Sequence, residues 1–207
     1  MSLFIIVLTV AISLLSFNNY SLSQKLIYSP FRVKQYNEWS RIITHAFIHA
    51  NWTHLLFNML VLYFFGDNVI FLLENKIGVN GQIGFVFLYL GGILFSSISA
   101  YARHGDNEGY LSLGASGAVS AVLYAFIIMA PTSSMYLYFI PIPIPAFIIG
   151  IAYLWYEARL DKNSNDGIAH DAHFWGAIFG VLFVVVLKPI VIIDFVSQVM
   201  AYVVNFF

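Results

Sequence analysis

Charge in this chain comes in islands, and the gaps between the islands decide what it can fold into. No Asp, Glu, Lys or Arg occurs from 1 to 24, from 42 to 66, from 77 to 102, from 109 to 156 or from 172 to 187. A helix needs about 20 mainly apolar residues to cross a bilayer, so these gaps leave room for about six spans. With 60% hydrophobic and 9% charged residues, a water-soluble domain would lack the polar side chains to cover its surface. The expected class is an all-α membrane protein.

The spans are predicted at roughly 3–20, 52–73, 81–101, 115–130, 143–160 and 171–188. The long uncharged run from 109 to 156 must be divided, and "PTSSM" at Pro131 with the prolines at 141, 143 and 145 divides it. Proline lacks an N–H and disfavours helix in the residue before it. Residues 1–188 are read as one six-span domain and 189–207 as a tail. In that tail Asp194, Gln198, Ala201 and Asn205 fall at helical spacing, a narrow polar stripe that suits an amphipathic helix lying at the interface. Residues 21–50 are too long and too aromatic for a plain turn. Tyr28, Phe31, Tyr36 and Trp39 suit the headgroup level, so this first loop is expected to associate with the membrane.

Several classes are disfavoured. The net charge of -1 and the lack of a basic cluster give no nucleic-acid footprint. Cysteine is absent, which removes disulfide and thiolate chemistry. The N-terminal "MSLFIIVLTVAISLLSF" lacks the positive start of a secretory signal, and is read as an uncleaved span despite the small-x-small Ser21-Leu22-Ser23.

Even-numbered spans all start on one side of the membrane, so three polar constellations should share one depth. "HANWTHLLFNML" brings His49, His54 and Asn58 to the start of span two, "GASG" brings Ser116 to the start of span four, and "HDAHFWGAIFG" brings His173 to the start of span six. His54 and Asn58 are four apart and share a helix face, where interhelical hydrogen bonding is the plainest role for them. His173 shares a stripe with Gly176 and Gly180, opposite a candidate small-residue row of Gly117, Ala121 and Ala125. If the rows face each other, the helices can approach closely at the end carrying Ser116 and His173. A serine hydroxyl beside an imidazole is the minimal activated nucleophile. The Ser116 N–H, His54 and Asn58 could supply donors to an oxyanion. No separate carboxylate is evident, and Asp171 is read as a loop or cap residue.

Together these motifs resemble the rhomboid intramembrane serine proteases. From about Trp39 to Gly180, "HANWTHLLFN" resembles the family's His-x-x-x-x-His-x-x-x-Asn, "GASG" its Gly-x-Ser-Gly and "AHFWGAIFG" its Ala-His-x-x-Gly-x-x-x-Gly. The resemblance implies a six-helix bundle, Ser116 as nucleophile and His173 as general base without an acidic third member. It implies oxyanion stabilisation by His54, Asn58 and the Ser116 backbone, with Gly114, Gly117, Gly176 and Gly180 supporting the site and His45 and His49 structural. It implies no metal or organic cofactor, and as partners the lipid bilayer and transmembrane protein substrates cut near the membrane surface. Oligomeric state is not implied. Two departures stand out. The first loop reads Trp39-Ser40-Arg41 where the family often carries Trp-Arg, and Ser120 stands where some members stack a tyrosine on the catalytic histidine.

Charge opposes the family's orientation. Seven of nine Lys/Arg (Lys25, Arg32, Lys34, Arg41, Arg103, Arg159 and Lys162) lie in odd-numbered loops, which the positive-inside rule would make cytoplasmic together with the site. Four of the seven lie in the long first loop, and the resemblance places the protein in the cell (inner) membrane with the site facing outward. Two rival readings are a metal-dependent hydrolase, with His45, His49, His54, His170, His173 and Asp171 as ligands, and a rhomboid-like protein that binds membrane helices without cutting them.

Overall fold

The structure, a computed structural model, describes residues 1–137, 140–163 and 170–206. The side chains of Lys162 and His170, named above, lie outside the described residues. Seven helices carry the body of the fold: α1 Ser2–Phe17, α5 Trp52–Leu72, α6 Gly81–His104, α7 Ser116–Met129, α8 Ala146–Asn163, α9 His170–Leu187 and α10 Val191–Phe206. Each of the six stretches predicted above is mainly helical and falls on one of the first six. By length and composition, Trp52–Ile77 and Gly81–His104 are long and apolar enough to cross a membrane, α1 and α7 are shorter apolar helices, and α9 with α10 qualifies only as a pair bent by 111°. The protein is thus a mostly helical integral membrane protein.

Polar residues at the boundaries explain where the helices start. Asn51 accepts from the His54 N–H at 2.8 Å and begins α5, and Asn80 accepts from the Ile83 N–H at 3.0 Å and begins α6. Between α1 and α5 the first loop is structured: α2 Tyr20–Leu26, α3 Pro30–Tyr36, α4 Arg41–Thr44 and a 3₁₀ turn His45–Phe47. Asn19 caps α2, and Ser29 with Pro30 opens α3. The buried Arg41 holds the loop together. Its guanidinium pairs with Glu38 and donates to the Gln24 and Ile27 carbonyls at 2.8 and 2.7 Å. The Trp39-Ser40-Arg41 order therefore still yields a firm anchor.

The proline-rich break is more than a turn. Ser134–Leu137 (β1) and Ile140–Pro145 (β2) form an antiparallel ribbon with Ser134 opposite Pro145. The helical class stands with this addition, and α8 begins at Ala146 because the prolines are spent in β2, where a two-stranded ribbon leaves edges that need no N–H.

Helix α7 is the centre. Twelve of its 14 residues are buried, and it packs against α5, α6, α8, α9 and α10. Small residues bring the backbones together. A Cβ at Gly176 would overlap the Gly117 carbonyl oxygen, and one at Gly180 would overlap the carbonyl of Ala121. The predicted small-residue rows of α7 and α9 do face each other.

Candidate active site

The segment that delivers Ser116 is fastened to the first loop at successive residues. Tyr28 and Ser112 exchange both backbone hydrogen bonds at 2.9 and 3.0 Å, the Gly114 N–H donates to the His45 carbonyl at 3.0 Å, and the Ala115 N–H donates to His49 Nε2 at 3.4 Å. Gly114 has φ +114°, a conformation L side chains rarely adopt, and a Cβ there would lie 2.5 Å from His54 Cε1. Only glycine meets both demands. Ser116 then opens α7, whose first backbone bond runs from the Val119 N–H to the Ala115 carbonyl at 2.9 Å. Backbone N–H groups at the start of a helix lack intrahelical acceptors, so they face the space beside the serine.

The histidines of the first loop are structural in this geometry. His49 Nδ1 lies 3.0 Å from Ser13 Oγ, which itself donates to the Phe47 carbonyl at 3.0 Å, while Nε2 accepts from Ala115. The proton must therefore sit on Nδ1, and the neutral ring links α1 to the Ser116 segment. Burial, reinforced by His54 and His45, pushes the His49 pKa down to about 3, and burial pushes His45 down to about 4. His54, in the first turn of α5, sits edge-to-face with His49 at 4.9 Å between centroids. Asn58 lies one turn further on, buried, and spends one of its two amide hydrogens on the His54 carbonyl at 2.8 Å.

His173 comes from the first turns of α9. One turn later Gly176 lies on Gly117, the residue after Ser116, so the bare-backbone seam holds the two helix starts together. Asp171, in the first turn of α9 rather than at a loop or cap position, accepts from the Ala172 N–H at 2.9 Å and pairs with Arg103 of α6 at 3.3 Å. The expectation of no carboxylate near His173 meets a contrary observation. Glu157 Oε2 of α8 lies 3.0 Å from His173 Nδ1, with the two side chains 4% and 13% exposed. Tyr153, one turn earlier on α8, places its hydroxyl 3.4 Å from the same nitrogen and lays its ring over the imidazole at 21°. Among the described residues no three His, Asp or Glu converge as metal ligands.

Comparison with known proteins adds to this geometry. The Rhomboid domain family model matches residues 36–190. The chain belongs to the rhomboid family. It is 33% identical over 146 residues to "RHOMBOID-like protein 12, mitochondrial" of Arabidopsis thaliana, covering 66% of this chain and 43% of that protein. It is 31% identical over 150 residues to "Rhomboid protein 1, mitochondrial" of Saccharomyces cerevisiae, covering 69% and 40%. With "Rhomboid protease GlpG" of Yersinia pestis it shares 27% over 156 residues, covering 74% and 50%. The match thus spans half or less of these relatives' lengths.

Two residues of this rhomboid protein escaped the sequence reading. Glu157 ends the long uncharged run, and a short connection from α8 to α9 puts the end of one helix at the depth of the other's start. That placed it near His173. Tyr153, at i−4 from Glu157, shares its face. Which face of α8 turns inward is what the sequence left open.

Proposed function

We propose that this rhomboid protein is an intramembrane serine endopeptidase that cuts transmembrane protein substrates near the membrane surface. The observation that supports the reading is the Gly117–Gly176 contact, which packs the helix start that carries Ser116 against the one that carries His173. In the proposed reaction Ser116 Oγ attacks the scissile carbonyl carbon while its proton passes to His173 Nε2. The oxyanion faces the Ser116 N–H, His54 and Asn58. Collapse expels the amine, which takes the proton from His173. Water, with His173 again as base, then hydrolyses the acyl ester, releasing a carboxylate and restoring Ser116. The steps balance with no metal or organic cofactor.

The same proposal takes residues 1–188 as one six-span domain, with the first loop and α10 resting at the interface. The site opens outward from the cell (inner) membrane. The 111° bend between α9 and α10 supports an in-plane tail. The test is cleavage of a single-span substrate whose upper helix is destabilised, by purified wild type, Ser116→Ala and His173→Ala. Each variant should lose at least about 10³-fold in kcat. Wild-type turnover by either would sink the assignment.

A further inference from the structure

We propose that Glu157 is the acidic positioning residue for His173, held in register by Tyr153, so that α8 supplies a third member to the Ser116–His173 pair; this rests on His173 being the base. A buried carboxylate in a membrane protein is costly unless it is paired. Glu157 is 4% exposed, and its Oε2 lies 3.0 Å from His173 Nδ1, within hydrogen-bond reach. Tyr153 reaches the same nitrogen at 3.4 Å. Ser120 stands where some relatives would place a stacking tyrosine, and here the ring that stacks on His173, Tyr153, arrives from another helix.

The consequence is a fixed tautomer. A carboxylate accepts but does not donate, so it holds the imidazole proton on Nδ1 and makes Nε2 the nitrogen that accepts the Ser116 proton. As the ring gains that proton, the carboxylate stabilises the imidazolium without itself becoming protonated. Helix α8 is fixed in turn by the Tyr124 hydroxyl of α7, which donates to the Gly150 carbonyl at 2.5 Å. Ionisable groups around the ring include His54 of α5 as well as Glu157 and Tyr153 of α8, while Asp171 of α9 is engaged by Arg103 of α6.

The test compares wild type, Glu157→Gln, His173→Ala and the double variant, reading kcat, KM, the pH profile of kcat and thermal stability in one detergent. Glu157→Gln should lower kcat by at least about tenfold, leave KM within about twofold and shift the acid limb of the profile downward. In the His173→Ala background the same change should have no further effect. Unchanged kcat and an unchanged acid limb in Glu157→Gln, with His173→Ala inactive, would overturn the proposal and spare the base. An active His173→Ala would overturn the base itself. A measurement that leaves Glu157 in place covers the case in which Glu157→Gln does not fold. In Ser116→Ala protein carrying ¹⁵N-histidine, with the His173 signals assigned by difference against His173→Gln, Nδ1 should carry the proton at neutral pH. A proton on Nε2 would also overturn the proposal.

Discussion

The two halves of the candidate site are built in different materials. Ser116 is held by backbone: Ser112, Gly114 and Ala115 are each bonded to the first loop through main-chain groups, with His49 the sole side chain among these acceptors. His173 is held by side chains, with Glu157, Tyr153 and the Arg103–Asp171 pair around the start of α9. Backbone bonding survives most substitutions, whereas a side-chain cluster depends on each member and on its protonation. The Ser116 side, Gly114 apart, should therefore be stable to mutation and the His173 side tunable.

The seam joins the halves, so breaking it should have the largest effect. Gly176→Val pushes two extra carbons and a Cβ into the Gly117 carbonyl. It should cost about 3 kcal/mol, the upper end of overpacking, and abolish cleavage, read as loss of thermal stability and turnover. Acid comes next. His45 and His49 have folded pKa values lowered to about 4 and about 3, below the ordinary 6.5. The unfolded chain thus binds protons first as pH falls. Stability should be level above about pH 6.5 and drop progressively towards pH 4, as a thermal-melt series would record. Glu38, lowered to about 2 by Arg32 and Arg41, adds a further loss below about pH 4.5.

His49→Leu sharpens the comparison by removing the one side-chain acceptor among the bonds that fasten the Ser116 segment. Leaving the Ala115 N–H unpaired should cost about 1–3 kcal/mol and shrink the loss between pH 6.5 and 4. Arg103→Gln should do least. Arg103 is 45% exposed, which screens its half of the pair, and glutamine keeps an N–H donor for the 4% exposed Asp171, so the cost should stay near about 1 kcal/mol, with kcat reduced a few-fold.

Much of this layout was legible in the sequence. Uncharged gaps marked six helices, and the period of His173, Gly176 and Gly180 marked the seam, because close helix packing admits few residue types. The ribbon at 134–145 was not legible: prolines say where a helix stops without saying what replaces it. Nor was the partnership of Glu157 with His173, which depends on the rotation of α8 about its axis. Helix α8 carries Glu157, Arg159, Asp161 and Lys162 within one stretch, so hydrophobic periodicity gives that rotation only weakly.

The Gly117–Gly176 contact also sets an order in time. Everything that shapes the Ser116 segment, α1, the first loop and α5, precedes α7 in the chain, whereas the histidine arrives only with α9. A chain leaving the ribosome would carry a finished but inert serine until its last seam closes. For the proposed hydrolase, competence waits until synthesis has delivered α9.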